Sequence, residues 1–215
     1  MTQIKFDAII FDFDGVITES LDVKTVALMK LYEPYGIEIV QQVKRYHLEN
    51  GGMSRFEKFR YFHNILLCRD FNEQIEWELA GKFSRMVEDG VVNAPLVEGA
   101  LEFLQEFSTQ LPLFVASGTP EDELCRITIK KGLNQYFVSL HGSPQSKVDI
   151  INRIVKDHNL EQSRVLMVGD AMQDYTAAMQ TSVNFVWRVS NTQIVPPDDV
   201  ETIKNLYELK GLVFS

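Results

Sequence analysis

Apolar and polar positions alternate along this chain in two periods, and the period changes once. Residues 4–11 close on the apolar run Ala-Ile-Ile-Phe and have the length and composition of a buried strand. Ser20 is then a helix cap, and residues 21–35 carry Val23, Val26, Ala27 and Leu31 at helical spacing, with Pro34 and Gly36 punctuating the end. Residues 38–48, 54–67 and 73–87 read as further helices, the first broken by Asn50-Gly51-Gly52. No strand is expected between about residues 16 and 92. Within this stretch Phe56, Phe59 and Phe62 recur at helical spacing and predict a core face.

After Pro95 the reading changes. Helices are expected at 96–107, 121–131, 146–158, 173–180 and near 200–207, and strands at 111–116, 136–140, 164–168 and 183–189. Strands alternating with helices imply a parallel, doubly wound sheet with right-handed crossovers. The layout is therefore discontinuous. Residues 1–16 and 93–215 form an α/β core, and 17–92 form an inserted all-helical domain.

In open parallel sheets ligands bind beyond the carboxyl ends of the strands. Asp12, Ser117 and Asp170 each fall just past the end of an expected strand, so topology alone gathers three distant residues on one edge. Asp12 and Asp14 are two acids at i and i+2, followed at once by Gly15, where the first strand breaks up. Burying such a pair without a partner is costly, so a divalent metal, a basic residue or a reaction is needed to justify it.

Composition narrows the class. The chain has 215 residues, 45% of them hydrophobic and 24% charged, enough for an ordinary domain plus a modest accessory one. The formal net charge of −9 argues against nucleic acid and anionic membrane surfaces as partners. A small anionic substrate stays compatible, because a local metal and a lysine override the global field. Cys68 and Cys125 lack metal-type spacing and suit a reducing compartment. The N-terminal residues carry no signal-peptide pattern and no apolar run approaches a membrane span, so a cytoplasmic location is expected.

Taken together, Asp12-Phe-Asp14-Gly-Val-Ile, Ser117-Gly118, Lys147 and Gly169-Asp170-Ala-Met-Gln-Asp174 resemble the four motifs of the haloacid dehalogenase-like hydrolase superfamily, in order. The inserted helices resemble its helical cap. The resemblance implies a Mg²⁺-dependent phosphatase for a small phosphorylated metabolite. Asp12 would attack phosphorus, and Asp14 would serve as general acid and then general base. Asp12, the backbone carbonyl of Asp14 and Asp170 would bind Mg²⁺, with Asp174 supporting the metal or orienting Lys147. Ser117 and the backbone N–H of Gly118 would hold phosphoryl oxygens, and Lys147 would offset charge.

Two departures from the family pattern stand out. Lys147 follows Ser143-Pro-Gln-Ser where Lys-Pro is common, and Thr181-Ser182 replaces a usual Ala-Gly, which should affect a turn only. Lys130 and Lys131 compete with Lys147 but read as the solvated end of a helix. The loop Asn50-Gly-Gly-Met-Ser-Arg55 resembles the specificity loop of helical caps, where Arg55 could hold a second anionic group. His47, His63, His141 and His158 show no ligand spacing and read as surface or packing residues. The resemblance also admits a phosphomutase of the β-phosphoglucomutase type, and a metal-binding protein without catalysis is a further alternative. A dehalogenase is disfavoured by Asp14, and a phosphonatase by the acid at that same position and the lack of an evident Schiff-base lysine early in the cap. Oligomeric state is not legible.

Overall fold

The computed structural model describes residues 4–190 and 194–214; the outermost residues assigned above to the core, 1–3 and 215, lie outside it. Among the described residues six parallel strands form one sheet in the order β3-β2-β1-β4-β5-β6: β1 Ala8–Phe11, β2 Leu113–Pro120, β3 Ser139–Ser143, β4 Val165–Gly169, β5 Asn184–Arg188 and β6 Thr202–Ile203. Both faces of β1 are buried. Ile9 and Phe11 join the larger apolar cluster, and Ala8 and Ile10 join a second cluster on the opposite face. That division follows from the period of two along a strand, and burial on both faces is the mark of a sheet covered by helices on each side.

Four helices fill the chain between β1 and β2: α1 Leu21–Tyr32, α2 Ile37–Glu49, α3 Arg55–Tyr61 and α4 Glu73–Asn93. A turn of π-helix, Phe62–Leu66, continues α3. Their shared core is aromatic, with Tyr32, Phe59 and Phe62 fully buried and Phe83 nearly so. Phe56 is only half-buried and packs edge-on to Trp77, 6.0 Å between centroids. The remaining helices belong to the core: α5 Ala100–Phe107, α6 Glu121–Lys130, α7 Lys147–Asp157, α8 Met172–Gln180 and α9 Leu206–Val213. Among the described residues no helix is long and apolar enough to cross a membrane.

Three sequence expectations are corrected. The first strand starts at Ala8, because Ile4 bridges antiparallel to Phe214 and Lys5 N donates to the Val213 carbonyl at 2.9 Å, tying residues 4 and 5 to the segment 213–214 and not to the sheet. The helix expected near 200–207 begins only at Leu206, capped by Asn205 accepting from Glu208 N at 3.1 Å. Thr202 and Ile203 instead pair with Trp187 and Arg188, a strand too short for any periodic signal. Lys131 is also misread as solvated. Its ammonium donates to the carbonyls of Val91, Val92 and Ala94 at 3.3, 3.0 and 2.7 Å, satisfying acceptors that the end of α4 leaves unpaired. Lys130 does stay exposed, paired with Glu88. Replacing Lys131 with Met should lower unfolding stability by about 1–3 kcal/mol, since three carbonyls lose a charged donor. A urea denaturation midpoint unmoved by the change would contradict this role.

Candidate active site

β1, β2 and β4 present their carboxyl ends side by side. Asp12 follows β1 directly and Asp170 follows β4 directly, with Asp12 N donating to the Val168 carbonyl at 2.9 Å. Ser117 is not past its strand but inside it, in an irregularity between Ala116 and Pro120 where the pairing with β3 shifts register. Lys147 is the first residue of α7, and Asp174 lies in the first turn of α8, where its Oδ2 accepts from Ala171 N at 3.2 Å. Gly15 has φ of 79°, and a β-carbon there would collide with Asp170 Oδ2, so the turn after Asp14 requires glycine twice over.

Carboxylate oxygens of Asp12, Asp170 and Asp174 lie within 4.8 Å of one another, all three residues buried. Lys147 Nζ lies 3.0 Å from Asp12 Oδ2 and also bonds Asp174 Oδ1. Burial, with Asp174 and Asp14 nearby, pushes the Asp12 carboxyl up to about 7 despite Lys147. Burial, with Asp12 and Asp174 nearby, raises Asp170 well above the usual range, although Ser190 Oγ donates to it at 2.5 Å. Lys147 itself is held above the ordinary lysine range, its burial outweighed by Asp12 and Asp174. Three clustered acids with one lysine leave negative charge in excess, and all the donors are hard oxygens. That set fits a divalent cation of the magnesium type.

Asp14 faces elsewhere. Its Oδ1 accepts from Ser20 Oγ at 2.6 Å, and its Oδ2 accepts from Lys24 and from Thr119 Oγ1 at 3.0 Å. Burial alone would raise this carboxyl, but the Lys24 charge and these hydrogen bonds outweigh it and hold it below the usual range. Lys24 comes from α1 in the cap and also donates to Thr119 Oγ1 at 2.7 Å. Neither Lys24 nor Thr119 was singled out from sequence.

The cap loop closes directly on this edge. A β-carbon on Gly118 would lie 3.0 Å from the Gly52 carbonyl, a tight contact, so glycine eases the close approach of the two backbones. Gln173 Nε2 also donates to Asn50 Oδ1 at 3.3 Å. Between cap and core lies a cavity of about 40 Å³ whose wall includes Asp12, Asp14, Ser117, Gly118, Arg55 and Lys58. Arg55 reaches the cavity, yet its guanidinium is committed. Nη1 and Nη2 donate to Glu123 Oε2 and Oε1 at 2.8 and 2.7 Å, Nη1 donates to Ser84 Oγ at 2.7 Å, and the group stacks 4.7 Å from the Phe83 ring. His47 is more than packing: buried at the cavity wall, its Nδ1 accepts from Lys58 Nζ at 2.9 Å. His63 is buried against aromatic rings, His141 lies near Arg153, and His158 is exposed against Phe114.

With the motif acids gathered at the strand ends beneath a helical insertion, the architecture is that of a capped α/β hydrolase. The chain belongs to the haloacid dehalogenase-like hydrolase family, whose match spans residues 9–188. It is 25% identical over 202 residues to a phosphoglycolate phosphatase of Photobacterium profundum, covering 85% of this chain and 82% of that one. A phosphorylated carbohydrates phosphatase of Thermotoga maritima is 22% identical over 190 residues, with 85% of each chain covered. Among solved structures, a β-phosphoglucomutase of Clostridium difficile superposes with TM-score 0.77 at 18% identity, covering 95% of this chain and 93% of that chain. The magnesium-bound HAD-hydrolase YfnB of Bacillus subtilis superposes with TM-score 0.72 at 19% identity, covering 97% and 99%. These two likenesses concern the fold.

Proposed function

We propose that this chain, a phosphoric monoester hydrolase, is a Mg²⁺-dependent, cytoplasmic phosphatase of a small phosphorylated metabolite working through an aspartyl-phosphate. The observation that carries the reading is the separation of the two acids. Asp12 faces Asp170, Asp174 and Lys147, whereas the Asp14 carboxylate is turned to Ser20, Lys24 and Thr119. Two carboxylates in such different surroundings suit two roles.

Asp12 Oδ attacks phosphorus and the bond from phosphorus to the ester oxygen breaks, while Asp14 delivers a proton to that departing oxygen. Asp14 then takes a proton from water as the water attacks phosphorus. The bond to Asp12 breaks, returning the carboxylate and releasing phosphate. Ser117 Oγ and Gly118 N–H bind phosphoryl oxygens, and Lys147 offsets their charge. Asp12, Asp170, the carbonyl of Asp14 and, in support, Asp174 would hold Mg²⁺, which when bound keeps Asp12 ionised and neutralises phosphoryl charge.

Residues 17–92 act as a cap over a core of 1–16 and 93–215. The cavity of about 40 Å³ shares Gly52, Met53, Ser117 and Gly118 with a cleft of about 490 Å³, and the cap moves away from this edge to admit substrate and returns to exclude water. With Arg55 paired to Glu123, the cap offers a second phosphate no free arginine fork, which counts against a phosphomutase. The free thiols of Cys68 and Cys125 suit the reducing cytoplasm.

The test is phosphate release from a panel of phosphorylated metabolites. Turnover should require Mg²⁺, fall to background after chelation and return on adding the ion back. Turnover that persists through chelation removes the metal from the reading, and no release from any ester removes the phosphatase.

A further inference from the structure

The cations around the cavity are paired with acids, with one exception. Lys24 pairs with Asp14, Arg55 with Glu123, and Lys147 with Asp12 and Asp174. Lys58 is only 3% exposed, yet its ammonium donates to two neutral acceptors, His47 Nδ1 at 2.9 Å and the Gly51 carbonyl at 3.4 Å. Among the described residues no carboxylate lies within 4.0 Å of it. A buried ammonium without an acid is costly, and its third N–H has no protein acceptor here. Burial, with Lys24 and Lys147 nearby, lowers Lys58 to about 7, the expected response of a cation lacking its counter-ion. His47 does not compete for an anion's charge: burial and the neighbouring Lys58 hold it neutral, well below its ordinary range. With Nδ1 accepting from Lys58, the imidazole proton sits on Nε2.

Lys58 stands on the cap side of the same cavity whose core side holds Asp12, Asp14 and Ser117. A phosphoryl group at Asp12 therefore directs its ester substituent toward the cap. The space between Lys58 and the core acids, about 40 Å³, holds about three waters and adjoins a cleft of about 490 Å³, so the part of the substituent that meets Lys58 is compact. One surplus cation matches one negative charge.

We propose that Lys58, supported by His47, is the recognition cation for a leaving group bearing a carboxylate, so that the substrates are small phosphorylated hydroxy acids. This rests on the phosphatase reading and adds the substrate class to it. Closure of the cap carries Lys58 onto the carboxylate, and the anion supplies the partner that the protein omits.

The experiment uses two matched pairs differing only in a carboxylate replaced by a hydroxymethyl group. These are 2-phosphoglycolate with 2-hydroxyethyl phosphate, and 3-phosphoglycerate with glycerol 3-phosphate. The readout is the ratio of kcat/KM, acid over neutral, in at least one pair. Wild type should favour the acid about tenfold or more, Lys58→Met should lower that ratio about tenfold or more, and Lys58→Arg should keep most of it. A lysine that merely holds the Gly51 loop would lower both members alike and leave the ratio standing, which overturns the proposal. So does a wild type without preference, or one that releases phosphate from other monoesters but from none of these four. No release from any monoester overturns the phosphatase reading instead. Should Lys58→Met not fold, inhibition of wild type by glycolate and by ethylene glycol decides. Tighter inhibition by the acid supports the carboxylate site, and equal inhibition overturns it.

Discussion

Asp12→Asn should lower the rate of phosphate release by roughly 10⁴-fold or more, because the amide neither ionises nor attacks phosphorus. The fold should survive. Asn keeps the shape of Asp and its oxygen can still accept from Phe13 N, now 2.7 Å from Asp12 Oδ1, while Lys147 retains Asp174. Stability gives an independent check in metal-stripped protein. The Asp12 carboxyl is raised to about 7 in the folded chain, so its contribution is fully present below the unfolded carboxylate range near pH 4 and is lost as pH rises through 7. Asp12→Asn removes that loss, and the variant should melt no lower than wild type at pH 8 without Mg²⁺. Labelled phosphoryl trapped on wild type by acid quench should be missing from the variant. Activity within tenfold of wild type would remove Asp12 as nucleophile.

The site divides by how its residues are placed. Asp12 and Asp170 were legible because each directly follows an apolar run, and strand ends of a parallel sheet share an edge. Asp174 was legible as a residue one helical turn further on. Lys24 and Lys58 were not. Each is a polar position on an amphipathic helix, where lysine ordinarily faces water, and only the folding of the cap back over the core turns them inward. Glu123 likewise reads as first-turn acid in α6, a helix-dipole residue, until Arg55 is seen to reach it from the cap. What the pattern missed is contact across the cap–core boundary, which carries no local period. The same holds for β6, whose pairing with β5 is set by tertiary closure. Ser182 illustrates a milder case: the turn expected there forms, at the cost of a positive φ of 56° that glycine would take without strain.

Asp14→Asn tests the other half of the division. Its carboxylate lies outside the cluster of Asp12, Asp170 and Asp174, so Mg²⁺ affinity measured by titration should change little. Turnover of alkyl phosphates should fall roughly 10²- to 10⁴-fold, the range for loss of general acid and base together. The Lys24 ammonium holds Asp14 ionised in the ligand-free site, the form that activates water. An arriving phosphate ester brings negative charge beside it and favours the protonated form that the leaving oxygen needs. The two steps therefore depend on Asp14 differently, and leaving-group acidity separates them. An aryl phosphate with an acidic phenol departs without a proton, so its first step should be much less impaired in the variant. The second step still lacks its base. Asp14→Asn should accordingly give a burst of phenol followed by accumulated phosphoryl-enzyme, whereas alkyl esters should show neither. Equal losses for alkyl and aryl esters, with no accumulated phosphoryl-enzyme, would assign Asp14 to holding Lys24 and the closed cap rather than to moving a proton.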